Sequence, residues 1–314
     1  MAAAKGTSPI PGQTTPAGET PSQDEAVRFG LIAGVMAYTF WGLFPIYLKM
    51  LSDVAVTEVL AHRILWSVPF GAIILSYRKQ WPEVIRAVRQ RKVILMLTIS
   101  AIAISLNWLI YVWAVANDRV LEASLGYYIN PLMYVAAGVL VLGEKLRPLQ
   151  IGAVALATIG VLVLTFGVGS FPWVSITLAI LFTAYGYVRK TTDVGAMPGL
   201  FVETSLLAPF ALIFMIFLFS TGQNTFANTG SGMNVLLILA GPVTVGPLVL
   251  FALAARRLKL STLGFLQYIG PTLQFFLGIY FGEAFTLAHG ICFGLIWTAL
   301  AVFSIDAVRQ RKGA

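Results

Sequence analysis

From Arg28 onward the chain is a succession of apolar stretches of about twenty residues, separated by short polar junctions. That is the length a helix needs to cross the ~30 Å hydrocarbon core of a bilayer. Ten such spans are predicted, at about 28–48, 57–77, 93–116, 120–142, 149–168, 172–189, 199–220, 233–255, 261–282 and 285–307. In lipid each backbone polar group needs an internal partner, so the runs imply helices. The strands of a transmembrane barrel would alternate instead. The expected fold is an all-α membrane protein with ten transmembrane helices. At 58% hydrophobic and 11% charged residues, against about 25% charged in soluble domains, the composition excludes a soluble enzyme and an ordinary DNA-binding protein. The single cysteine, Cys292, forbids an intrachain disulfide, and with two histidines it offers no zinc or haem spacing, so no metal or cofactor is expected.

Residues 1–26 are rich in Pro, Gly, Ser and Thr and contain no apolar run, which predicts a disordered cytoplasmic tail rather than a signal peptide. Of 21 Lys and Arg, eighteen fall on the side shared by both termini and the even-numbered junctions. Only Lys49 and Arg119 face the other side, and Arg63 lies within a span. The net charge of +8 is thus read as topology, not nucleic-acid affinity: both termini are expected in the cytoplasm, with 309–314 a short second tail. The basic run between Trp81 and Lys92 fits either this topology or an interfacial helix on anionic lipid.

The chain also repeats itself. Ala123-Ser124-Leu125-Gly126 matches Ser261-Thr262-Leu263-Gly264, Tyr128-Ile129-Asn130-Pro131 matches Tyr268-Ile269-Gly270-Pro271, and Gly143-Glu144 matches Gly282-Glu283. The offsets are 138, 140 and 139, and Pro69 and Pro209 are also 140 apart. Two units of five spans follow. Five is odd, so the second unit enters the membrane from the opposite face, an arrangement found in secondary transporters with their site near the midplane.

The segments Trp41-Gly42, Glu58 to Trp66 (EVLAHRILW), Glu122 to Pro131 (EASLGYYINP) and Ser261 to Pro271 (STLGFLQYIGP) resemble the RarD group of the EamA family, in the drug/metabolite transporter superfamily. The likeness covers roughly residues 28–308. It implies an inner-membrane permease of two inverted five-helix EamA repeats, residues 27–168 and 169–308, in a group whose name is tied to chloramphenicol sensitivity.

Polar residues inside spans are costly and mark candidate functional groups. Glu58 and His62 are i,i+4 neighbours on span 2, with Trp66 one turn further and Arg63 about 100° around. They form either a cavity wall that binds substrate or a proton, or a network fixing span 2. Glu203 is the repeat equivalent of Arg63, read as a pairing or protonatable group or as a snorkelling interfacial Glu. Glu58, His62 and Glu203 are the proton-coupling candidates. Glu122 opens span 4, where it suits the helix N-terminus. Pro131 and Pro271 are read as mid-span kinks that free the carbonyls of Tyr127 and Gln267. With Tyr128, Asn130 and Tyr268 these carbonyls make a candidate midplane substrate site, to which Asn107-Trp108 and Trp41 add a donor and aromatic walls. Packing kinks and lipid-facing aromatics are the alternatives.

Gly152 to Gly160 and Gly290 to Gly294 fit either a homodimer interface or close packing within the bundle. No phosphate-binding GxxxxGK[ST] loop, GxSxG elbow or HExxH motif is present. The leading reading is a secondary transporter of a small amphipathic metabolite or drug, working in the lipid bilayer by alternating access. A channel or lipid scramblase stays open. An intramembrane enzyme is disfavoured, since no nucleophile–base pair or metal set can be assembled.

Overall fold

The structure, a computed structural model, describes residues 23–142, 148–255, 257–258, 263 and 266–313. These residues form eleven α-helices: α1 (Gln23–Lys49), α2 (Val56–Tyr77), α3 (Trp81–Arg89), α4 (Arg91–Ala116), α5 (Val120–Leu142), α6 (Pro148–Val168), α7 (Trp173–Thr191), α8 (Ala196–Thr221), α9 (Ser231–Ala255), α10 (Ile269–Tyr280) and α11 (Leu287–Gly313). Six of them, α1, α2, α4, α6, α8 and α9, are long and apolar enough to cross a membrane; α7 and α11 carry shorter apolar stretches, Trp173–Arg189 and Leu287–Val302. Among the described residues there is no strand. The Gly143-Glu144 pair, Ser261, Thr262 and Gly264 of the repeat lie outside the described residues, as do 1–22.

The helices carry apolar side chains outward as well as inward. On α8, Phe210, Ile213 and Phe217 share one face and are more than half exposed, while Ala211, Met215 and Leu218 are buried. The polar residues go the other way: Glu58, Asn107, Asn130 and Glu203 are at most 1% exposed. Such an inside-out distribution suits a solvent that is itself apolar.

Three local expectations are revised. Helix α1 begins at Gln23, inside the segment read as tail, with Asp24 and Glu25 in its first turn where the helix dipole favours anions. The basic run after span 2 forms α3, which buries Val84 and Ala87 and sets Trp81 edge-on against Phe201 of α8 at 5.2 Å. It is therefore packed on the bundle. Finally, Pro271 does not kink a helix at mid-length: a turn at Gln267–Tyr268 precedes α10, and Pro271 lies in its first turn, where a missing N–H costs no helical bond. Pro131 falls within α5, and its ring lies outside the described atoms.

Helix α1 packs on α9 and α10, α7 on α4 and α5, α2 on α8 and α9, α4 on α8, α5 on α10, and α6 on α11. The approach of α9 to α2 is close enough to require glycine. A Cβ on Gly241 would lie 2.5 Å from the Trp66 carbonyl oxygen, whereas one on Gly246 would meet nothing within 4 Å. Gly241→Ala should therefore cost about 1–3 kcal/mol through overpacking. Gly246→Ala should be neutral or gain up to about 1 kcal/mol of helix propensity. Thermal unfolding of the two variants in detergent checks the contrast.

Candidate functional site

Arg63 enters the bundle two turns into α2 and is 5% exposed. Its guanidinium lies 4.8 Å from the ring centroid of Phe44 (α1) and 4.4 Å from that of Trp108 (α4). Nε donates to Thr244 Oγ1 of α9 at 3.2 Å. Thr244 can reach it because Gly241, one turn earlier, lets α9 touch α2. Nη1 is buried without a hydrogen-bond partner, and among the described residues no carboxylate pairs with this cation. The surrounding wall is aromatic. Phe44 stacks on Tyr47 at 5.6 Å and on Tyr111 at 5.9 Å, and Tyr111 meets Tyr127 of α5 at 5.7 Å. Asn107 ties this wall to α7 by donating to the Leu178 carbonyl at 3.1 Å, and Tyr127 OH approaches its Oδ1 at 3.5 Å.

Glu58 and His62 form a separate cluster, nearer the start of α2. Glu58 Oε1 accepts the backbone N–H groups of Thr225 and Phe226 at 2.8 and 3.1 Å, pinning the α8–α9 connection onto α2. The Trp66 indole donates to His62 Nδ1 at 3.1 Å, which assigns the proton of a neutral ring to Nε2, 3.9 Å from Glu58 Oε1. His62 also lies 5.1 Å from the Phe226 ring. The span-2 residues thus divide, with Arg63 in the aromatic cage and Glu58 and His62 holding a loop.

Glu203 is fully buried toward the α3 end, so the snorkelling reading fails. Its Oε1 accepts from Ser100 Oγ of α4 at 2.6 Å and lies 3.7 Å from Arg189 Nε of α7. Arg189 also donates to the Gly195 carbonyl at 2.9 Å, while Glu83 of α3 accepts the Gly195 N–H at 2.7 Å. Four elements are joined there.

The proposed midplane group is elsewhere again, between α5, α10 and α11. Tyr128 OH bonds Thr272 Oγ1 at 2.6 Å, its ring stacks on Tyr268 at 6.4 Å, and Ser124 donates to the Pro271 carbonyl at 3.0 Å. Gln267 stands in the turn before α10, where its backbone N–H donates to Leu263. Asn130 is buried with both side-chain atoms unpartnered among the described residues. Trp41 packs on Tyr38 and Phe251 at 5.4 and 5.9 Å, apart from the cage.

A model of the EamA-like transporter family matches residues 28–166. An uncharacterized transporter of Vibrio cholerae is 45% identical over 94% of this chain and 98% of its own length. Protein RarD of Salmonella typhi is 43% identical over 91% of this chain and 98% of its own. The chain belongs to the RarD group of the EamA family. EamA proteins are transporters, and with its several apolar helices this member is a multi-pass membrane protein. A solved crystal structure at 21% identity aligns with a TM-score of 0.58 over 89% of this chain and 97% of its own, which shows a shared fold.

In this EamA protein sequence reasoning missed Phe44, Tyr47, Tyr111 and Thr244. Thr244 had one local signal, its place between Pro242 and Pro247 on α9. The cap at the start of α5 also went to the wrong residue. Glu283, in the turn after α10, accepts the N–H groups of Val120 and Leu121 at 2.5 and 2.8 Å, while Glu122 pairs with Arg119 at 3.3 Å. The Gly282-Glu283 landmark is thus a helix cap supplied by another loop, made accessible by Gly282 at φ 84°. Burial pushes the Glu283 carboxyl above the usual carboxylate range, and the two backbone bonds oppose that. Glu283→Ala should lose about 0.5–2 kcal/mol, as caps do. Glu122→Gln should change stability by less than about 0.5 kcal/mol, being a partly exposed pair. Thermal unfolding separates the two assignments.

Proposed function

We propose that this protein is an inner-membrane secondary transporter, moving a small amphipathic molecule by alternating access between two inverted five-helix halves, residues 27–168 and 169–308. The observation that carries the reading is the buried Arg63 cage, built by α1, α2, α4, α5 and α9 and therefore by both halves. Helix packing supports the inverted arrangement. Exchanging α1 with α7, α2 with α8, α4 with α9, α5 with α10 and α6 with α11 turns the α1–α9 contact into α7–α4 and α1–α10 into α7–α5. The α2–α8, α5–α10 and α6–α11 contacts map onto themselves. Polar ties at both ends supply closures for alternation. At one end are Glu58 on the α8–α9 loop, Glu283 on α5 and the Lys49–Asp118 pair; at the other is the Ser100–Glu203–Arg189 group.

Both termini lie in the cytoplasm on this reading. A cytoplasm-active reporter fused after Ala314 should therefore be bright, and a periplasm-active one silent. Proton coupling through Glu58, His62 or Glu203 is part of the proposal, since all three are buried.

The direct test is counterflow in proteoliposomes loaded with a bacterial metabolite extract and followed by mass spectrometry. A carrier accelerates exchange of selected metabolites when they are present on both sides, and Arg63→Ala should lower that exchange at least about tenfold. Flux indifferent to the opposite compartment would indicate a channel or scramblase.

A further inference from the structure

We infer that the Arg63 cage recognises a small organic monoanion, a carboxylate carried on an apolar or aromatic body. This deepens the transporter reading and rests on it.

The first ground is charge. Arginine stays protonated under any physiological condition. Arg63 is 5% exposed, and no described carboxylate neutralises it. The carboxylate nearest along α2, Glu58, is committed to the N–H groups of Thr225 and Phe226. One unbalanced positive charge matches a monoanion, whereas a dianionic phosphate would bring a second negative charge with no second cation in the cage.

The second ground is directional. Phe44 and Trp108 cover the guanidinium, and Thr244 takes Nε. What remains is the Nη side, where Nη1 lacks an acceptor. Tyr111, stacked on Phe44 at 5.9 Å, also has its hydroxyl buried without a partner. The cage therefore has donors in surplus and acceptors in deficit. A carboxylate supplies two oxygens in one plane and no donor of its own, the form that guanidinium edges match best. A neutral amide would bring its own NH2 group into the same surplus. The third ground is shape: the rings of Tyr111, Tyr127 and Phe182 continue from the cage at centroid spacings of 5.7 and 5.9 Å. Those surfaces favour an apolar or flat body behind the carboxylate.

The test uses the purified full-length protein in detergent, with binding rather than flux as the readout. Benzoate is compared with its uncharged isostere benzamide and with inorganic phosphate, at matched ionic strength. Benzoate should raise the unfolding temperature by a few degrees at saturation and perturb tryptophan fluorescence through Trp108, while benzamide and phosphate do neither. Arg63→Gln should abolish the benzoate response. Arg63→Lys, which keeps the charge but loses the planar fork, should weaken it at least about tenfold. Equal responses to benzoate and benzamide, a response to phosphate alone, or no response to benzoate would each overturn the inference. So would a benzoate response that survives in Arg63→Gln. Should Arg63→Gln not fold, the comparison of the three probes on the unsubstituted protein still decides. Benzoate binding without counterflow would sink the transporter reading and leave the anion site standing. Counterflow without benzoate binding would do the reverse.

Discussion

Arg63 is carried into the bundle on the second turn of α2, and the aromatic side chains of three other helices are organised around it. An arginine at membrane depth costs ~2.5–3.5 kcal/mol on insertion scales. Nothing in helix packing requires a cation there, since Leu or Met would fill the volume more cheaply. The structure offsets part of the cost with two aromatic faces and one hydroxyl, each a weak acceptor. A carboxylate partner would have offset far more and held the charge permanently. An arginine kept on weak partners can still be claimed by a stronger acceptor, and an arginine locked to a glutamate cannot.

Elsewhere in the bundle four carboxylates are each tied to a group from another element. Glu58 holds the α8–α9 loop, Glu83 the start of α8, Glu203 a serine of α4 and an arginine of α7, and Glu283 the start of α5. Two of these four, Glu83 and Glu283, take backbone N–H groups at a helix beginning. Helix N-termini have donors without intrahelical partners and carry the positive end of the dipole, so a carboxylate there is stabilised twice. Each bond is also local and can be broken singly. A helix that moves relative to its neighbours needs only to trade one such cap for water at its end, while its apolar sides slide against lipid or other apolar sides.

The fold class was legible in the sequence because its signal is physical and long-ranged: twenty apolar residues in a row have few alternatives in lipid. Arg63, Glu58, His62, Asn107 and Glu203 were also singled out as candidates, since a polar residue inside such a run stands out. What could not be read was the grouping. Glu58, His62 and Arg63 lie within six positions on α2, yet 100° of rotation sends Arg63 into the cage while His62 faces Phe226. Three aromatics of the cage were invisible for the opposite reason. Phe44, Tyr47 and Tyr111 look like any other apolar residue of a span, and only the crossing of α1, α2 and α4 assigns them to one place. Glu283 was not read as a cap because a cap supplied from a distant loop leaves no local pattern, whereas Glu122 sits where a local cap would be.

The division of labour between these groups has a mechanical consequence. On the proposed division into two halves, the cage draws on α1, α2, α4 and α5 from the first and on α9 from the second, with Thr244 as the second half's contribution. Glu203 and Ser100 join α8 of the second half to α4 of the first at the α3 end, and Glu58 joins α2 to the α8–α9 loop at the other. Helices α2 and α4 therefore each carry part of the cage and one closure. Rotating α2 and α4 together about the cage would stretch one closure as it compresses the other, while the short contacts of Arg63 with Trp108, both on the moving pair, would persist. The Arg63–Thr244 bond, which spans the two halves, is the one that such a motion must bend. On the proposed alternating-access reading, a carboxylate held on the Nη edge would share the guanidinium with Thr244 and lower the cost of bending that bond, which would couple occupancy of the cage to which end is open.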